Sequence, residues 1–100
     1  MDAHALARDV FDAVDAMDAK RFASFLSSDA HFRFANSPAV DGRDAAEAYV
    51  AGFFQMLAGL SHRIIGLWRD GSTVLTRLEV TYHKPDGTVV EIPAMTRWEL

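Results

Sequence analysis

The feature that most restricts the fold is the run from Ser61 to Leu100, where two Asp-Gly pairs divide three β-branched and aromatic segments. "HRIIGLWR" leads into Asp70-Gly71-Ser72, "TVLTRLEVTYH" leads into Lys84-Pro85-Asp86-Gly87-Thr88, and "VVEIPAMTRWEL" follows. Asp-Gly between alternating apolar segments signals a tight hairpin, because glycine reaches the positive φ such turns require. Two hairpins joining three strands make an antiparallel meander. In its middle strand Val74, Leu78, Val80 and Tyr82 share one face, and Arg77, Glu79, Thr81 and His83 share the other. The apolar set is expected to face a core. Pro93 cannot donate to a ladder, so it marks an edge or a bulge. The first strand is expected to open at His62, with Ile64 and Trp68 on the same face as His62.

The rest of the chain has helical grammar. Leu6, Val10, Val14 and Met17 form one stripe at helical spacing. Asp18 is placed to cap a short second helix, "AKRFASFL". "HFRFA" then alternates, with Phe32 and Phe34 on one face, and predicts a short strand. "NSPAVDG" is turn chemistry, and Pro38 biases Ser37 away from helix. Ala46, Tyr49, Val50, Phe53, Leu57 and Leu60 trace a third helix from near Gly42 to near Gly59. Helices set apart from an antiparallel sheet define an α+β domain. Three amphipathic segments can cover one face of a curved sheet and leave a pocket between the layers.

Composition narrows the function classes. The 100 residues, half of them hydrophobic, suit a single domain, 1–100. A net charge of −4 without any basic run argues against nucleic acid. The absence of cysteine removes disulfide and thiolate-metal chemistry. The N-terminus lacks an apolar signal core, and no apolar run is long enough to span a membrane, so a cytoplasmic protein is expected. No two histidines stand at ligand spacing on one face, so no metal is expected. Dinucleotide and phosphate-loop fingerprints are absent, so no cofactor is expected.

"FRFANSPAVDGRDA" between the second and third helices, together with "HRIIGLWRDGSTVLTRLEVTYHKPDGTVVEIPA", resembles the SnoaL-like members of the nuclear-transport-factor-2-like superfamily. That group includes ketosteroid isomerase and polyketide cyclases. The resemblance implies a cone-shaped, curved antiparallel sheet wrapped over three N-terminal helical segments, the cystatin-like α+β roll. It implies a pocket for a small apolar molecule and a homodimer formed through the sheet. The family usually carries a further strand beyond the position of Leu100, so either that C-terminal strand lies outside this sequence or the sheet is short by one strand.

The resemblance also excludes one mechanism. The isomerase needs a carboxylate base before the turn proline, a tyrosine on the first helix and a protonated acid on a late strand. Those positions fall on Ser37, near Phe11 and within residues 94–96, where no such group stands. Proton transfer must then use other residues. His62 is the candidate, because a histidine at the mouth of an apolar pocket can exchange protons near neutral pH. The competing reading is a histidine bonded to backbone at the strand start. Tyr82 on the apolar face is the candidate partner; packing with a satisfied hydroxyl is its competing reading. Asn36, Tyr49, Trp68, Phe34 and Phe53 are candidate ligand contacts. Asn36 has the parity of Phe32 and Phe34 and would point inward, unless its side chain fixes the turn before Pro38. Three functions stay open: acid–base isomerase, lyase or cyclase chemistry, a non-catalytic binding module, and a dimeric interaction module.

Overall fold

The computed structural model describes residues 2–100. Helix α1 (Ala3–Asp15) begins at Asp2, whose carboxylate accepts the His4 N–H at 2.9 Å and the Ala5 N–H at 3.3 Å. Its buried face centres on Ala7, Val10, Phe11 and Ala13, with Leu6, Val14 and Met17 on the flank. The helix stops sharply. Met17 takes a left-handed conformation, φ 55°. Its N–H then bonds the Val14 carbonyl and the Asp18 N–H bonds the Ala13 carbonyl, the paired closure of a Schellman turn. Asp18 caps α2 (Ala19–Ala23) through the Arg21 N–H at 3.0 Å.

The alternation read in "HFRFA" stops early. β1 (His31–Phe32) pairs antiparallel only with β2 (Val40–Asp41). Ala35 is left-handed, φ 52°, and the Ser37 N–H closes a turn on the Phe34 carbonyl. Helix α3 (Arg43–Phe54) ends well short of Gly59. Helical spacing carried on through Leu57 and Leu60 because the next strand also turns Leu60 inward, where it is buried.

The meander forms as expected. β3 (Gly59–Asp70), β4 (Thr73–His83) and β5 (Val89–Glu99) lie in the order β3-β4-β5. Gly71 and Gly87 supply the positive φ of the two turns, 61° and 89°. Val74, Thr76, Leu78 and Val80 of β4 are each no more than 2% exposed and form the inner face. Pro93 sits opposite Glu79 on β5, at the sheet's edge, where its missing N–H costs no ladder bond.

Two features of β3 change the expected site. The strand begins at Gly59, so His62 lies inside it, opposite Val80, and does not open it. A β-bulge then falls between Ile64 and Gly66, where register shifts by one residue. Beyond it Leu67 faces inward opposite Thr76, and Trp68 faces outward opposite Leu75. The expectation that Trp68 shares the face of His62 is therefore wrong. Trp68 is 53% exposed and lies over Gly66, where a Cβ would come within 2.7 Å of its ring.

The sheet curls over α1. The Phe11 ring meets His62 of β3 at a centroid distance of 4.8 Å and Trp98 of β5 at 5.5 Å. One helical side chain that touches both outer strands requires a concave sheet, which is open and not closed into a barrel. The fold is thus the expected α+β roll.

Candidate functional site

Two side-chain constellations, one polar and one aromatic, sit on the inner side of the sheet. The first joins α1 to β3. Asp15 is the last residue of α1, at the end where the helix dipole disfavours a carboxylate. Its charge is met from β3: Asp15 Oδ1 lies 2.6 Å from His62 Nδ1, and Oδ2 accepts the His62 backbone N–H at 3.0 Å. A carboxylate can only accept, so Nδ1 carries the proton and Nε2 of the neutral ring keeps its lone pair. Phe11 stacks on the ring at an interplanar angle of 23°. His62 is thus held in position, in tautomer and in tilt.

The free nitrogen has somewhere to act. Neither hydrogen bond of His62 uses Nε2. No buried side-chain nitrogen or oxygen among the described residues lacks a partner, so Nε2 is in reach of solvent. His62 lines an open cleft of about 370 Å³ between α1 and β3, together with His4, Arg8, Phe11, Asp12 and residues 63–66. The side chain itself is only 11% exposed. The ring is mostly buried in the wall of the cleft and keeps one nitrogen unspent on other protein groups, an arrangement suited to passing a proton to or from a bound molecule.

The second constellation is aromatic. Phe34 meets Phe53 at 5.0 Å and Tyr49 at 6.4 Å, and Phe53 meets Tyr82 edge-on at 6.0 Å. The Tyr49 hydroxyl donates to Ser37 Oγ at 2.9 Å, so the residue before Pro38 serves as an acceptor for α3. Burial pushes the Tyr82 phenol above its ordinary pKa. Three of the expected ligand contacts, Phe34, Tyr49 and Phe53, and the candidate partner Tyr82 are therefore linked in one chain of ring contacts. Asn36 does not join them: it is exposed in the turn after the alternation has ended.

No hydrogen bond or ring contact joins His62 to Tyr82 among the described residues. In place of the expected partner Tyr82, His62 is paired with Asp15. The outward set is also occupied. Glu79 pairs with Arg63 across the strands, and that hydrogen bond holds its carboxyl below the usual range.

Sequence reading missed Asp15, and two signals marked it. It stands four residues after Phe11, one turn along the same helix face. It is also an acid at a helix C-terminus, which intrinsic helix electrostatics does not favour.

Fold and site together define an α+β roll of the nuclear-transport-factor-2-like type with a histidine–carboxylate pair under its first helix. The profile of the SnoaL-like domain matches residues 7–100, and the chain belongs to that family. A search of curated proteins finds no match. Solved structures similar to it include a protein with a ketosteroid isomerase-like fold from Catenulispora acidiphila, in complex with trimethylamine. That protein is 16% identical, with a TM-score of 0.86 over 94% of this chain and 74% of the other. An NTF2-like protein of unknown function from Exiguobacterium is 26% identical, with a TM-score of 0.79 over 94% and 85%. A putative SnoaL-like polyketide cyclase from Jannaschia sp. is 20% identical, with a TM-score of 0.80 over 94% and 73%. Among the described residues no helix is long and apolar enough to cross a membrane.

Proposed function

We propose that this SnoaL-like protein is a cofactor-independent acid–base enzyme of the isomerase, lyase or cyclase type, acting on a small, largely apolar molecule. His62 Nε2 takes or returns the proton. Asp15 holds the ring and stabilises the imidazolium that forms when Nε2 is protonated. The observation that carries this reading is the double acceptance by one carboxylate of both the ring and the backbone N–H of His62, with Nε2 left without a protein partner in a residue that lines the cleft. A histidine needed only for packing has no use for a free basic nitrogen beside a recess. The mechanism differs from that of ketosteroid isomerase, whose carboxylate position is filled here by Ser37 hydrogen-bonded to Tyr49.

The test is deuterium uptake from D2O at carbons next to the carbonyl in a set of cyclic ketones, followed by NMR. Uptake above the buffer rate is expected, reduced roughly 10²-fold or more in His62→Ala. Asp15→Asn is expected to fall between the two. Uptake that never exceeds buffer, or that is equal in wild type and His62→Ala, contradicts the reading.

A non-catalytic binding module is the second reading. It is favoured by the aromatic cluster, where Tyr49 already spends its hydroxyl on Ser37. A co-purified molecule released unchanged on denaturation would support it. Under either reading two copies pair through the outer sheet face, where Trp68 is 53% and Met95 61% exposed. Sedimentation of wild type and Trp68→Glu checks this: a dimer is expected for the first and a monomer for the second. A monomeric wild type contradicts it.

A further inference from the structure

Beyond its basic nitrogen the cleft holds a cation and a carboxylate without ionic partners among the described residues, and these define what it can take. His4, Arg8 and Asp12 follow one another at four-residue steps along α1 and line the same recess as His62. Arg63 also borders it, but its guanidinium is bound to Glu79. Arg8 has no carboxylate within ion-pair distance among the described residues, so it is the uncommitted cation of the cleft. Among the described residues Asp12 likewise has no ion-pair partner, and it stands between Arg8 and the Asp15 end of the helix. The opposite wall is apolar: Ile64, Ile65 and Gly66 beside Phe11.

These positions give the cleft a polarity. An anionic group is attracted to Arg8 and repelled by Asp12, so it settles at the His4–Arg8 end. The part of the ligand that reaches His62 must then be neutral. Arg8 precedes Phe11, whose ring stacks on His62, by about 4.5 Å along the helix axis. A ligand that meets both Arg8 and His62 is therefore small, its neutral body against Ile64 and Ile65.

We propose that the cleft binds a small monocarboxylate with a neutral ring or aliphatic body, its carboxylate held by Arg8 beside His4 and its reacting end at His62 Nε2. The placement of the reacting end rests on the proton-transfer reading of His62. The carboxylate subsite is tested by binding alone, without turnover.

The experiment is an NMR titration of the His62 ring signals with benzoate, its neutral analogue benzamide and the cation benzylamine. Wild type, Arg8→Gln and Arg8→Lys are compared; Arg8 is exposed, so the variants keep the fold. Benzoate is expected to shift the His62 signals saturably and to bind more tightly than benzamide. Arg8→Gln is expected to weaken benzoate about tenfold, as loss of an exposed charge-assisted contact does, and to leave benzamide unchanged. Arg8→Lys should recover part of the loss. The proposal is overturned if benzylamine binds as tightly as benzoate, if Arg8→Gln binds benzoate like wild type, or if benzoate leaves the His62 signals in place. Absent deuterium uptake with this order of binding intact refutes proton transfer and leaves the carboxylate subsite standing. Normal uptake with the order lost does the reverse.

Discussion

Replacing Asp15 with alanine removes the acceptor for two donors at once, the His62 ring N–H and the His62 backbone N–H. Each donor left buried without a partner costs about 1–3 kcal/mol. The His62 side chain is 11% exposed and Asp15 25%, so water reaches part of the vacated space and screens the loss. The lower part of the range then applies, about 2–3 kcal/mol for the pair. In a domain of this length that lowers Tm by about 10–20 °C. It is a large share of the roughly 5–15 kcal/mol that holds a small domain folded. The assay is urea unfolding followed by the fluorescence of Trp68 and Trp98, for Asp15→Ala, His62→Ala and the double variant. The cycle should return a coupling of about 1–3 kcal/mol between the two residues. Asp15→Asn keeps one carbonyl acceptor and should lie between wild type and Asp15→Ala. An Asp15→Ala protein within about 0.5 kcal/mol of wild type, the size of an ordinary surface substitution, would refute the claim that this carboxylate organises His62.

Three further outcomes are expected. Leu78, 1% exposed on the inner face of β4, should cost about 2–5 kcal/mol on truncation to alanine, measured by the same unfolding assay. The Arg63 hydrogen bond lowers the Glu79 pKa in the folded chain, so its stabilisation is present above the ordinary carboxylate value and is lost as pH falls through the lowered one; ¹³C NMR should find the Glu79 midpoint below normal and restored in Arg63→Gln. Burial raises the Tyr82 pKa, so its stabilisation is complete below the ordinary tyrosine value and disappears as pH rises through the raised one; ultraviolet titration should show a late phenolate step that Tyr82→Phe removes.

What could be read from the sequence follows the range of the interactions. The meander was legible because Asp70-Gly71 and Asp86-Gly87 fix their turns within a few residues, and because β4 alternates cleanly between Val74 and Tyr82. The caps at Asp2 and Asp18 are equally local. The end of α3 was not legible, since Leu57 and Leu60 continue the helical spacing although β3 begins at Gly59. The bulge in β3 was hidden because Ile64 and Ile65 are both apolar, so a one-residue slip leaves the hydrophobic pattern unchanged while it turns Trp68 outward. The site depends on a contact across 47 positions, between Asp15 and His62, that no local pattern encodes. It takes a helix end fixed by Met17 and a strand that starts early enough to bring His62 beside it.

The state of the His62 ring tests the account most directly. Long-range ¹H–¹⁵N correlation spectra distinguish a protonated from an unprotonated imidazole nitrogen. The neutral ring in wild type is expected to carry its proton on Nδ1 and leave Nε2 bare, with that preference lost in Asp15→Ala. A ring protonated on Nε2, or a tautomer indifferent to Asp15, would contradict the assignment of His62 as the proton-transfer group.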